Sequence, residues 1–134
     1  MTDDPVREYL EEQGCPEHVV EAGLDGLLEK WEYAVEDVEQ GYPLGFDDYL
    51  DDMDGRELIK GALAVAAPAA RQPALVPLRA ADARMKAAVL PAGCCLWGED
   101  TAREKGWTAK ENWWYFSIPR EPGPELKEDI ESRL

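Results

Sequence analysis

From Val20 to Val38 the apolar residues return every three or four positions: Val20, Gly23/Leu24, Leu27/Leu28, Trp31, Ala34/Val35 and Val38. That spacing writes one apolar stripe along a helix and leaves a Glu-rich face for solvent. A stripe of this length must be covered, so the chain is expected to be built mainly from packed helices. Gly23 and Gly26 weaken the early part and predict two helices meeting near Asp25. Gly41, with Pro43 beyond it, stops the run.

The punctuation on either side divides the rest of the chain. Asp3-Asp4-Pro5 reads as a helix start, with an acid as cap and Pro in the first turn. Gly14 ends that helix, and Cys15-Pro16-Glu17 begins the next. After a turn at Gly41–Gly45, Phe46, Tyr49, Leu50 and Met53 share one helical face, while Asp47, Asp48, Asp51 and Asp52 share another. Asp54-Gly55-Arg56-Glu57 has capping-box spacing and predicts a new helix carrying Leu58, Ile59, Ala62, Leu63 and Ala66. Pro68 is expected to end it, and Gln72–Val76 to be a loop or short extended piece. Pro77 then starts a helix with Leu78, Ala81, Met85, Ala88 and Val89 inward, broken by Pro91-Ala92-Gly93.

The composition changes after that point. Cys94–Trp97 and Trp113–Ile118 are β-prone runs, expected to pair antiparallel across the loop Gly98–Asn112. Pro124 opens a last helix with Leu126, Ile130 and Leu134 on its stripe. The expected fold is α+β and mainly helical: about five to six helices, with one short antiparallel strand pair near the C-terminal third. We read residues 1–134 as one domain, with an acidic helical half (1–60), Ala-rich helices (61–90), and an aromatic strand pair with a C-terminal helix (91–134). A chain of this length buries enough surface to fold without a disulfide or metal staple.

Charge is distributed unevenly. Residues 1–60 hold 19 Asp and Glu against four Lys and Arg. Residues 61–98 hold a single acid, Asp82, against Arg71, Arg79, Arg84 and Lys86. An acidic half of this kind repels nucleic acid and anionic membrane and attracts basic surfaces. Adaptation to high salt would spread acids over every exposed segment rather than concentrate them. The acidic opening lacks an apolar signal region, and no apolar run approaches the length of a membrane span. With three sparse cysteines, Cys15, Cys94 and Cys95, the chain reads as soluble and cytoplasmic, with reduced thiols.

Few patterns point to catalysis. Gly-rich phosphate loops are absent. Placing Gly55 at the sixth position of a calcium loop puts Leu50 at the first and Gly61 at the twelfth, where carboxylates are required. Cys15-Pro16-Glu17-His18 has C-x-x-H spacing but no second spaced pair, and adjacent Cys94 and Cys95 point opposite ways on a strand. A Cys–His nucleophile would need His18, the chain's one histidine, beside a thiol. No metal, cofactor or catalytic set is therefore expected.

The leading expectation is a non-catalytic acidic interaction module, of the inhibitor or immunity type, docking on a basic protein such as a nuclease or toxin. Glu32, Glu36, Asp47, Asp48, Asp51 and Asp52 would steer the partner, and Tyr42 and Tyr49 would anchor it. Trp31 and Phe46 lie on the stripes and belong to the core, whereas Tyr33, Tyr42 and Tyr49 are less clearly buried. Two alternatives stand beside this. One is a small metal-dependent hydrolase using the Asp47–Asp54 carboxylates. The other is a ligand-binding domain built on the aromatic strand, whose rings are otherwise expected to pack in the core.

Overall fold

Asp4 caps α1 (Pro5–Glu12): its carboxylate accepts the Val6 and Arg7 N–H groups at 3.1 Å, and Pro5 takes the first helical position. Asp3, expected beside it, lies outside residues 4–134, which the computed structural model describes. α2 (Glu17–Gln40) carries the long apolar stripe inward, burying Leu27, Leu28, Trp31, Ala34, Val35 and Val38. Its expected break falls at Gly23 (φ 62°, ψ −150°), a backbone region open in practice to glycine.

α3 (Phe46–Val65) corrects the expected helix boundary at Asp54. The helix runs straight through Asp54-Gly55-Arg56-Glu57 because Leu50, Met53, Arg56, Ile59 and Ala62 prolong one buried face. Asp54 caps nothing; its Oδ1 accepts the Tyr115 hydroxyl at 2.7 Å and the Trp97 indole N–H at 3.0 Å.

α4 (Pro68–Ala88) is the second correction. α3 ends at Val65, just before Pro68 as expected, but Pro68 also opens a new helix, and the expected loop at Gln72–Val76 and restart at Pro77 are helical throughout. Ala74, Leu78, Ala81 and Met85 are buried at helical spacing. Pro73 and Pro77 each remove a backbone hydrogen bond. The carbonyls they leave unpaired belong to Ala69 and Pro73, which are exposed and can be served by water.

The strand pair lies in the expected part of the chain, with Ser117 and Ile118 of the expected second run in it, but Val89–Pro91 takes the place expected for Cys94–Trp97. β1 (Val89–Pro91) pairs antiparallel with β2 (Ser117–Pro119), in the register Val89↔Pro119, Leu90↔Ile118 and Pro91↔Ser117. Cys94–Trp97 is a turn, tied to the sheet end by Leu96 N–H donating to the Tyr115 carbonyl at 2.8 Å. Trp113–Phe116 forms a 3-10 turn. Its neighbours Trp114 and Tyr115 are both buried, and the turn spares them the opposite-facing placement a strand would impose. The expected loop after Gly98 holds a further helix, α5 (Glu99–Lys105), whose one buried residue, Ala102, leaves no stripe to read.

α6 (Pro124–Arg133) fastens the C-terminal part to the start of α3. Gly123 N–H donates to the Tyr42 carbonyl at 3.0 Å, and Phe46 N–H donates to Asp129 Oδ2 at 2.9 Å. Arg133 pairs with Asp47 at 3.0 Å and lies over the Phe46 ring. An acid at the first turn of α3 complements its dipole.

One polar network crosses the apolar interior. Arg56 of α3 donates through Nε and Nη2 to both oxygens of Asp82 on α4, at 3.0 and 2.8 Å. Trp31 of α2 donates its indole N–H to the same Asp82 Oδ1 at 3.0 Å. The Arg56 guanidinium stacks over Trp114 at 4.3 Å. One carboxylate thereby ties three helices together. The architecture is thus mainly helical, with six α-helices and a two-stranded antiparallel sheet among the described residues.

Candidate functional site

Turning the α2 stripe inward leaves Glu29, Glu32, Tyr33 and Glu36 on the opposite face, spaced at three and four residues. With Arg84 of α4 they line a shallow groove of about 240 Å³. Tyr33 is 61% exposed within it, a large ring left in water among carboxylates. Arg84 is the groove's cation, and its guanidinium is tied to Glu39 through two hydrogen bonds. That hydrogen bonding holds the Glu39 carboxyl below its ordinary value. Glu32 and Glu36 repel one another at i,i+4, a cost of a few tenths of a kcal/mol that an incoming cation would relieve.

The α3 acids do not form a single row. Asp47 pairs with Arg133, Asp51 reaches Lys30 at 3.9 Å, and Asp48 stays exposed. Asp52 is half-buried and accepts the Tyr42 hydroxyl at 2.7 Å. Burial pushes its carboxyl above the ordinary range, against the opposing effect of that hydrogen bond. Burial, with the Asp52 carboxylate beside it, drives the Tyr42 hydroxyl far upward, so it stays a donor.

Of the residues expected to dock a partner, Glu32, Glu36, Asp47, Asp48 and Asp51 reach solvent. Tyr42 and Tyr49 do not: they are 0% and 1% exposed and pack edge to face in the core. Their positions beside Gly41 and on the α3 stripe place them inward. Tyr33, which sequence reasoning left undecided, is the ring that remains outside. Its signal was its place between Glu32 and Glu36, off the stripe.

Among the described residues, no three His, Cys, Asp or Glu side chains gather to hold a metal ion. The α3 carboxylates Asp47, Asp51, Asp52 and Asp54 point around the helix toward separate donors. Cys15 and His18 line one cleft of about 280 Å³. Burial pushes the Cys15 thiol up, opposite to the activation a nucleophile needs. The aromatic segment is mostly interior: Trp114 and Tyr115 are buried, and Trp113 and Phe116 half-buried.

No family model, curated protein or solved structure matches this chain. Among the described residues, no helix is long and apolar enough to cross a membrane.

The sequence alone did not place two further groups. Asp82 is the one acid of residues 61–98, and that isolation was a signal of a buried partner. Trp97 and Trp107 fell in stretches read as strand and loop, and their neighbours gave no hint that Asp54 and Glu57 of α3 sit beside them.

Proposed function

We propose that the protein is a non-catalytic acidic interaction module that docks on a basic protein, in the manner of an inhibitor or immunity-type protein. The observation that carries this reading is Tyr33, exposed in a groove bordered by Glu29, Glu32 and Glu36, whose cation is already tied to Glu39. Carboxylates accelerate the approach of a basic surface, and an aromatic ring at their centre supplies a contact that can be desolvated. Asp48, exposed on α3, adds a further carboxylate that no cation meets among the described residues. In this reading the chain works as a soluble cytoplasmic protein with reduced thiols.

The test uses two immobilised baits, wild type and Glu32→Lys/Glu36→Lys, in native lysate with stepwise salt elution. The wild-type bait should retain a basic protein that the reversed bait loses. With that protein purified, the double reversal should slow association about tenfold or more at low salt and flatten its salt dependence. Tyr33→Ala should mainly quicken dissociation. Equal retention on both baits refutes the reading.

A further inference from the structure

We propose that the cleft between the α1–α2 corner, α3 and the Trp97–Trp107 segment binds a small primary alkylamine in its ammonium form. The cleft measures about 440 Å³, the size of a small-molecule site. Its walls combine the rings of Trp97, Trp107 and Tyr115 with Leu58 and two carboxylates, Asp54 and Glu57, one turn apart on α3.

Each carboxylate is pinned by one oxygen. Asp54 Oδ1 takes the Tyr115 hydroxyl and the Trp97 indole N–H, and Glu57 Oε1 takes the Asn112 amide at 2.8 Å. Asn112 is itself buried. Among the described residues, no donor reaches Asp54 Oδ2 or Glu57 Oε2, and neither carboxylate is in an ion pair. Two half-buried like charges at i,i+3 are thus held in place with no counter-charge upon them. Lys105 lines the same cleft, but among the described residues it pairs with neither carboxylate, and two acids against one base leave the lining negative.

The rings are prepared in the same way. Trp97 is 43% exposed, and its indole N–H is fixed on Asp54. Trp107 stacks on Tyr115 at 4.0 Å, so the far wall is braced from behind. Burial and the Asp54 hydrogen bond push the Tyr115 hydroxyl far up, and it remains a donor that keeps Asp54 oriented. Fixed carboxylate oxygens beside exposed indole suit an ammonium with an aliphatic stem, through charge–charge and cation–π attraction together. A divalent metal would find two protein oxygens and apolar walls. None of the lining residues belongs to the Glu29–Glu36 groove, so this site stands apart from the docking reading.

The test is a titration with n-pentylamine hydrochloride at constant ionic strength, read by tryptophan emission and by the indole N–H resonances. A saturable response at the Trp97 resonance is expected, with 1-pentanol binding about tenfold or more weakly. Glu57→Gln keeps an acceptor for Asn112 and should weaken pentylamine about tenfold. Trp97→Leu should weaken it several-fold and leave the melting temperature within a few degrees. Equal affinity for pentanol, an unchanged Kd in Glu57→Gln, or no saturable response would each overturn the assignment.

Discussion

Asp82→Leu should be among the most damaging single changes in this protein, and the reason is the company Asp82 keeps. Its carboxylate accepts three donors, two from Arg56 and one from Trp31, in a pair whose side chains are 9% and 17% exposed. Removing it leaves a guanidinium buried without a counter-ion, a situation that costs about 3–5 kcal/mol. For a chain of 134 residues the unfolding entropy corresponds to about 3–4 °C per kcal/mol, so the melting temperature should fall by roughly 10–20 °C. The companion Arg56→Met/Asp82→Leu removes both charges. Both variants leave the Trp31 indole without its acceptor, so the double differs only in losing the stacking of Arg56 on Trp114, about 0.5–2 kcal/mol, in place of the uncompensated guanidinium. The double variant should therefore be more stable than Asp82→Leu. Urea unfolding followed by circular dichroism and tryptophan emission, with m compared across variants, measures both differences. If Asp82→Leu costs under about 1 kcal/mol, or the double variant is no more stable than the single, the buried-pair argument fails.

Three further outcomes follow from the same geometry. Burial raises the folded carboxyl of Asp52 above its unfolded value, so this group's contribution is favourable at low pH and declines as pH rises from the ordinary carboxylate range through the raised value. Asp52→Asn should therefore gain on wild type across that window, and melting temperatures from pH 3 to 8 that run parallel would contradict this. A Cβ at Gly123 would collide with the Tyr42 carbonyl oxygen, so Gly123→Ala should cost about 1–3 kcal/mol and speed amide exchange in α6 before other helices. Gly23→Ala meets no atom but keeps a strained backbone, so a loss of about 1–3 kcal/mol is expected by thermal unfolding; a neutral result would mean the α2 kink relaxes.

The helices were legible wherever one stripe of side chains meets the core. α1, α2 and α6 appear where caps and periodicity place them, and the α2 break falls within two residues of its expected position. The sequence misleads where a local signal competes with a distant partner. Asp54 looks like a cap until Trp97 and Tyr115 claim its oxygen, and nothing near Asp54 announces them. Pro73 and Pro77 look like breaks, yet the buried row Ala74, Leu78, Ala81 and Met85 outweighs two lost backbone bonds on an exposed face. Trp113–Phe116 has strand composition, but it turns, and its two adjacent rings Trp114 and Tyr115 enter the core without alternating as they would on a strand. For the candidate site, acidity was plain from the sequence. Which carboxylate oxygens remain available was not, because Asp54, Glu57, Asp82 and Asp129 each have at least one oxygen engaged by a donor far along the chain.

The clasp between α6 and the start of α3 bears on the order in which the molecule can be completed as it is synthesised. Phe46 and the Asp129 that receives its N–H are 83 residues apart. Synthesis runs from the N-terminus, so α3 leaves the ribosome well before the carboxylate that finishes its first turn exists. The early helices can gather around Trp31 and Val35 during that interval, but the Gly41–Gly45 corner stays unfastened until α6 emerges and Gly123 meets the Tyr42 carbonyl. A nascent chain halted before residue 129 would therefore carry an acidic first half whose folding its own last helix has yet to secure.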